Sequence, residues 1–278
     1  MTNASSREAF LTSPYRSIKY NSYFATYDRF FAPYRGRKIT FVEIGVLDGG
    51  SLFMWRDFFG PEARIIGVDL NPAAERWREH GFEIFIGSQS DPDFWSRFTD
   101  EVGPIDVVLD DGGHTFAQQI ITTEALLPAM ADGGVLAVED THTSYMSDFD
   151  GPSDHSFVSY AKNLVDGINH RSSVLADKEG ERRVWGVTFL ESFVIFHIER
   201  TESERQVEYV DNGAQSLGAL DFRYQDSRIV GRIIRRIEKG GWINRNRITR
   251  KLLWEARYRL QGLDNRLEIK SLRKFFRH

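Results

Sequence analysis

The feature that most limits the fold is a recurring unit in which a short apolar run ends in an acid or a glycine turn and a helix-length stretch follows. Residues 105–109 (IDVVL) end in Asp110 and Asp111, and residues 135–138 (VLAV) end in Glu139 and Asp140. Upstream, residues 38–45 (KITFVEIG) stop in the turn VLDGGS, residues 63–68 stop in Asp69, and residues 82–86 lead into GSQSD. Helical stretches are expected from near Leu52 and around residues 92–98. Short apolar runs of this kind read as strands buried on both faces, and helical connections make successive strands parallel. A doubly wound, mostly parallel, Rossmann-like α/β sheet is therefore expected. Farther on, residues 184–190 and 193–198 read as strands separated only by Glu191 and Ser192. So short a link forces an antiparallel hairpin, which puts one reversed strand at or near the edge of the sheet.

Chemistry-bearing residues recur at one edge of that sheet. Glu43 with the turn from Gly45 to Gly50, Asp69, residues 87–91, the DDGGH run at 110–114 and the Glu139–Asp140 pair all follow strands. In an open parallel sheet ligands bind beyond the carboxyl ends of the strands. Glycines at 45 and 49 let the backbone approach a ligand closely, and the following helix presents its N-terminus. Asp69 lies 24 residues past Gly45, near the spacing at which dinucleotide folds place an acid on a ribose. Two acid doublets with His114 beside one of them fit a divalent-metal site with a general base. The competing reading, in which these acids cap helices and form turns, accounts for one acid after a strand better than for two pairs.

The rest of the chain adds context. With no cysteine in 278 residues, disulfides, thiolate metal sites and cysteine nucleophiles are excluded, and a reducing cytoplasm fits. The first residues lack a basic start with an apolar core, and no run approaches the roughly 18 apolar residues of a membrane span. A cytoplasmic protein is expected. Residues 1–37 form an aromatic-rich segment in which Tyr20, Phe24, Tyr27 and Phe31 fall at helical spacing and pack on the core or on a sister subunit of a homo-oligomer, or else help close over the ligand. Residues 38–200 form the core, 201–227 a linker or irregular segment, and 228–278 a basic helical tail. That tail carries sixteen Lys and Arg against four Asp and Glu, whereas the remainder has twenty against thirty-six. Within it Ile229, Ile233 and Ile237 share one helical face, and Leu253, Ala256, Leu260, Leu263 and Leu267 another. Basic residues interleaved with Trp254, Tyr258 and Phe275 suit an anionic membrane surface, which would place the protein peripherally at the inner face of a membrane. The tail is separate from the expected site, which argues against nucleic acid as the acceptor.

The order of these motifs resembles the class I S-adenosylmethionine-dependent methyltransferases over about residues 38–200: an acid and glycine turn at 43–51 (EIGVLDGGS), the acid Asp69, and the terminal hairpin. DDGGH at 110–114 with VEDTHTSY at 138–145 is similar, more narrowly, to metal-dependent sugar O-methyltransferases of macrolide and related glycoside biosynthesis, a group often labelled by similarity to cephalosporin hydroxylases. The resemblance implies Asp111, Glu139 and Asp140 as metal ligands and His114 as general base. Oxygen ligands without sulfur favour Mg²⁺ or Mn²⁺ over zinc. It further implies that Asp69 accepts the ribose hydroxyls, that the backbone from Gly45 to Gly50 lies against the donor with Glu43 organising the turn, and that Ser88, Gln89, Ser90 and Asp91 flank the adenine. Asp110 falls either on the donor or on a turn, and His142 and Tyr145 are substrate-contact candidates. The expected reaction is methyl transfer to a hydroxyl of a sugar or polyol in a glycoside, oligosaccharide or glycolipid. The alternatives are an NAD-dependent oxidoreductase, an oxygenase of the hydroxylase type and a protein that binds membranes or partners through its tail. GVLDGG lacks the G-x-G-x-x-G spacing of the dinucleotide fingerprint, and a mononuclear iron site normally takes two histidines and a carboxylate.

Overall fold

A computed structural model of the chain describes residues 4–169 and 184–205, and beyond them 208, 210–215, 217, 231, 232, 235, 259, 266, 269 and 272–276. It divides into two compact units, Met1–Val207 and Glu208–His278. In the second unit the residues invoked for the tail helices, together with Trp254 and Tyr258, lie outside the described residues; Arg273–Phe276 is a 3₁₀ turn in which Phe275 is exposed. Among the described residues no helix is long and apolar enough to cross a membrane.

The first unit opens with α1 (Ser6–Thr12), α2 (Tyr23–Phe31), β1 (Thr40–Ile44), α3 (Gly50–Phe59) and β2 (Arg64–Asp69). A 3₁₀ helix at Pro72–His80 leads to β3 (Glu83–Ile86), α4 (Pro92–Val102), β4 (Ile105–Asp110) and α5 (Phe116–Leu126). Then follow β5 (Met130–Val138), α6 (Phe157–Ile168), β6 (Gly186–Leu190), β7 (Phe193–Ile198) and α7 (Arg200–Glu204). The sheet order is β3-β2-β1-β4-β5-β7-β6, parallel from β3 through β5. β7 runs antiparallel to both β5 and β6, so the reversed strand is second from the edge. The chain winds outward from β1 to β3 and then returns to place β4 on the other side of β1. That reversal opens a crevice at the carboxyl ends of β1 and β4.

Alternation along the strands divides the core into two layers. Phe41, Val107, Leu109, Ala137 and Ile195 face α1 to α3, and Val42, Ile44, Val108, Leu136 and Phe196 face α4 to α6. The first layer is strongly aromatic: Tyr27, Phe31, Phe41, Trp55 and Phe59 pack with ring centroids 4.9–6.4 Å apart. The aromatic N-terminal segment packs into this layer. Phe24, Tyr27 and Phe31 share the buried face as expected, but Tyr20 lies before α2 and is exposed. Tyr23 takes its place on the buried face.

The residues at the start of the expected linker are bonded to the core. Arg200 donates from its backbone N–H to Asp132 at 2.6 Å and from Nη2 to the carbonyls of Leu127, Pro128 and Met130 at 3.0–3.2 Å. Thr201 adds a hydroxyl bond to Asp132 at 2.8 Å. These bonds fasten α7 to the end of the sheet.

Candidate functional site

Register brings the acids together. Ile44 lies opposite Asp110, and Asp110 lies opposite Val138, so the residues just past these strands share one edge. The ladder is extended at its end by Asp111 N–H donating to the Ile44 carbonyl and Glu139 N–H to the Asp110 carbonyl, both at 2.9 Å. Asp111, His114 and Asp140 present ligand atoms that all lie within 4.8 Å of one another. His114 Nε2 is 3.4 Å from Asp140 Oδ2.

Both His114 and Asp140 adopt left-handed backbone, with φ of 58° and 54°. For non-glycine residues this conformation costs roughly 1–3 kcal/mol each and persists only where the surroundings impose it. Here Thr115 caps α5 in a reciprocal bond pair with Gln118, and the Thr143 hydroxyl donates to the His114 carbonyl at 3.2 Å and to the Asp140 carbonyl at 2.8 Å. One threonine thus ties together the two loops that carry the histidine and the acid.

The cluster also includes groups that no sequence pattern announced. Tyr23 donates its hydroxyl to Asp140 and Tyr27 donates to Glu139. Lys19 Nζ, with its side chain only 2% exposed, is 2.5 Å from Asp111 Oδ2 and 3.1 Å from Glu139 Oε2. Both oxygens of the fully buried Glu139 are thereby occupied, and Glu139 does not join the three groups that converge. That departs from the expected ligand set of Asp111, Glu139 and Asp140. Burial drives the pKa of Glu139 well up, Asp111 adding to the rise, against the downward pull of Lys19 and Tyr27. A lone lysine in an extended segment leaves no periodic trace. Tyr23 and Tyr27 were legible only as members of an aromatic run.

On the donor side each expected residue has a defined neighbour. Glu43 is fully buried on the face toward α3, where it accepts from Ser51 Oγ at 2.7 Å and Trp55 Nε1 at 2.9 Å. It clasps the start of α3 to β1 and so organises the turn from behind. Gly45 has a φ of +87°, and a Cβ there would stand 2.1 Å from the Asp111 carbonyl oxygen. No side chain fits between the two loops. Gly49, at φ +78°, supports the indole of Trp77, which a Cβ would approach to 2.3 Å. Asp69 accepts the N–H groups of Val46, Leu47 and Asn71 at 2.7–3.2 Å. A carboxylate offers about four acceptor positions, so one is left for a hydroxyl. Leu47 and Leu70 flank this acid and expose 65% and 67% of their surface, apolar walls that the sequence reading missed.

Residues 88–91 sort differently from the expectation that all of them flank the adenine. Gln89 is buried; its Nε2 donates to Asp110 Oδ1 at 2.8 Å and its Oε1 accepts from Gly113 N–H at 2.9 Å. It fixes the DDGGH loop from inside. Asp91 caps α4 by accepting from Asp93 N–H, the capping role weighed for acids after strands. Ser88 Oγ accepts from Ser90 N–H at 3.2 Å, and Ser88 remains at the surface of this edge. Asp110 is buried beside the turn, held by Gln89 and Gly112 N–H, and lies outside the metal-ready trio. Burial raises its pKa to about 7.

A cavity of about 720 Å³ adjoins the cluster. Tyr23, His142, Tyr145, Lys162, Leu190 and Phe193 are among its lining residues, so both substrate-contact candidates fall in one place. Tyr23 also donates to Asp140, which joins the cavity to the acids. His142 Nδ1 stands 3.8 Å from Asp140 Oδ1. The segment that follows Asp140 is folded over this side as two 3₁₀ turns, Thr141–Tyr145 and Ser147–Phe149.

Burial raises Glu43 to about 7 despite the opposing influence of Lys19, Trp55 and Ser51. Because its folded value exceeds its ordinary one, its contribution to stability is complete below about pH 4.5 and is lost as the pH rises through about 7. Glu43→Gln removes this loss. The stability of the variant relative to wild type is expected to rise by up to about 3 kcal/mol between pH 5 and pH 8, measured by urea denaturation. A constant difference across that range would contradict the buried placement of the carboxyl.

Residues 42–141 match the family model of a methyltransferase domain. The matched span runs from β1 through the first residue after the second acid pair, and so includes the glycine turn, Asp69, His114 and all the clustered acids. Over 160 residues, 54% of this chain and 42% of the relative, it is 39% identical to the 8-demethyl-8-alpha-L-rhamnosyl tetracenomycin-C 2'-O-methyltransferase of Streptomyces olivaceus. It is 35% identical to the mycinamicin VI 2''-O-methyltransferase of Micromonospora griseorubida over 161 residues, 52% of this chain and 39% of that one. The chain spans about two fifths of the length of these curated relatives. Among solved structures, the MycE methyltransferase of the mycinamycin biosynthetic pathway in complex with Mg and SAH superposes with a TM-score of 0.64 at 25% identity. That likeness covers 86% of this chain and 60% of the MycE chain. The seven-stranded sheet is thus a Rossmann-like methyltransferase fold.

Proposed function

We propose that this protein transfers a methyl group from S-adenosylmethionine to a sugar hydroxyl of a glycoside, with a divalent metal ion, Mg²⁺ or Mn²⁺, at the acid cluster. The observation that carries the reading is the convergence of Asp111, His114 and Asp140 at the switch point, beside the glycine turn of a methyltransferase domain. The two carboxylates, with no sulfur beside them and the imidazole kept for the proton, suit a hard cation. They fit a mononuclear iron oxygenase poorly, since that site normally takes two histidines and one carboxylate. An oxidoreductase would use the glycine turn and Asp69 but leave the acid cluster without a task. The named relatives act on rhamnosyl tetracenomycin and mycinamicin, which favours a sugar carried on a natural-product aglycone. The cavity walls agree with that choice: Val158, Phe189, Leu190 and Phe193 offer an apolar surface, while His142 and Tyr145 offer polar groups. The boundaries at residues 37, 200 and 227, a homo-oligomeric state and tail-mediated membrane contact stay as proposals of the same kind, motivated by sequence pattern and charge.

The donor would rest on the turn from Gly45 to Gly49, its ribose on the free acceptor position of Asp69, and its base near Leu47, Leu70 and Ser88. Asp111 and Asp140 would hold the metal. When bound, that ion lowers the pKa of a coordinated hydroxyl and helps orient the acceptor. His114 Nε2 would take the hydroxyl proton as the oxygen attacks the sulfonium methyl. The carbon–sulfur bond breaks with its electron pair left on sulfur, and the methyl is bonded to the sugar oxygen. Asp140, 3.4 Å from Nε2, stabilises the resulting imidazolium. The sulfonium needs little activation, so orientation and deprotonation are the main work of these residues.

Incubation with labelled S-adenosylmethionine and a panel of deoxysugar and rhamnosyl glycosides, with Mg²⁺ or with chelator, tests this reading. Methylation is expected only with the metal, and Asp140→Asn is expected to lower it by at least about a hundredfold. Undiminished transfer in chelator would remove the metal from the mechanism.

A further inference from the structure

Lys19 is the cation that this structure itself places at the acid cluster. Its ammonium is aimed between Asp111 Oδ2 at 2.5 Å and Glu139 Oε2 at 3.1 Å, above the ring of Tyr27 at 5.7 Å. Burial works against the charge, but Glu139, Asp111 and Glu43 together more than offset that and hold it protonated. The lysine arrives on an extended stretch between α1 and α2 that has no helix or strand of its own. That stretch crosses the start of α3, where Ser13 Oγ donates to the Gly50 carbonyl at 2.7 Å and a Cβ on Gly50 would stand 2.3 Å from the Tyr15 carbonyl oxygen. Tyr15 packs on Trp77 and Phe53, and Tyr20 packs edge-on against His142. The same stretch therefore touches the glycine-turn helix at one end and the cavity at the other.

Two carboxylate oxygens directed at one point describe a position that an ammonium and a metal ion cannot share. An ion bonded to Asp111 would lie close to Nζ, and like charges at that range in a buried setting repel strongly. Glu139 reinforces the argument. It is the expected ligand that does not join Asp111, His114 and Asp140, and Lys19 holds one of its two oxygens.

We propose that Lys19 and the divalent ion are alternative occupants of one site, so that metal binding expels Lys19, recruits Glu139 to the ligand set and frees the stretch from Ser13 to Ser22. Lys19 is then a positioning residue. In the metal-free protein it holds Asp111 and Glu139 at the spacing the ion will use, and it ties the stretch across the site until the ion arrives. The proposal rests on the metal reading above but goes beyond it, because ion and lysine could otherwise occupy the cluster together.

Mn²⁺ is a suitable probe, followed by electron paramagnetic resonance of the free ion and by limited trypsin digestion of the full-length chain. Without metal, the bond after Lys19 is expected to resist trypsin because the side chain is buried. Saturating Mn²⁺ should speed cleavage at that bond at least about tenfold, since proteolysis follows the population of the released form. Lys19→Met is expected to bind Mn²⁺ at least about tenfold more tightly than wild type, as no rival remains. Wild-type protein that binds Mn²⁺ while its Lys19 bond stays protected would overturn this inference and leave the metal reading standing. Equal or weaker Mn²⁺ binding by a folded Lys19→Met variant would do the same. Failure of wild type and variant alike to bind Mn²⁺ would overturn both. The digestion uses wild-type protein, so the test does not depend on the variant's folding.

Discussion

Alanine at position 114 is expected to leave a folded protein whose methyl transfer is about 10²–10⁴-fold slower, with the loss in kcat and little change in KM for S-adenosylmethionine. The basis is positional. The imidazole is a quarter exposed, stands 3.4 Å from Asp140, and belongs to a loop fixed by the cap of α5 and by Thr143. Its removal deletes a proton acceptor without touching Asp69, the glycine turn or the walls around Leu47 and Leu70. Affinity for the donor, measured by calorimetry with S-adenosylhomocysteine, should therefore be retained. Rate loss accompanied by lost donor binding would mean that the substitution had disturbed the loop, and full activity would withdraw the base assignment. The left-handed φ at His114 gives a further control: His114→Gly relieves the backbone strain and should be at least as stable as wild type, yet equally slow.

Trp55→Ala is expected to be the most damaging single change to stability, about 4 kcal/mol. The indole is fully buried, meets Tyr27, Phe31, Phe41, Phe58 and Phe59 at centroid distances of 5.0–5.9 Å, and donates to Glu43. Truncation opens a cavity in the aromatic layer and also removes one of the two side-chain donors that stabilise a buried carboxylate. In a unit of this size the midpoint temperature should fall by roughly 10 °C. Trp55→Phe separates the two contributions, since it restores most of the packing but not the N–H. It should recover more than half of the loss at pH 5, where Glu43 is protonated, and less at pH 8, where an ionised carboxylate lacks its donor. A loss below about 1 kcal/mol for the alanine variant would be incompatible with the packing of this layer.

Most of the sheet was legible because burial writes itself into a chain as period and length. The five parallel strands, the hairpin forced by Glu191 and Ser192, and the helices α3 and α4 all fall where the sequence pattern places them. Acids following strands were legible for a related reason. A polar group at the carboxyl end of a buried strand has only a few uses, and the doublets stand out against them. The structure has Asp91 capping α4 and Gln89 bonded to Asp110, contacts the pattern left open because which way a side chain turns after a strand depends on neighbours far off in the chain. The same limit explains Tyr20. Its spacing matched the helical face, but α2 begins three residues later, and the ring went to the cavity instead.

The sequence by itself determined the order of strands and turns, the sheet edge at which the acids and glycine turn gather, and the residue types that meet there, since each of these follows from local pattern and from the geometry of parallel sheets. Only the tertiary structure decided which groups touch. It paired His114 with Asp140 through two left-handed residues, gave Glu139 to Tyr27, and brought Lys19 from 92 positions away to Asp111. Such contacts depend on loop crossings and on the pairing of buried charges. A lysine in an extended stretch has no periodicity to reveal its partner, and only the packed chain fixes where its ammonium must find compensating charge.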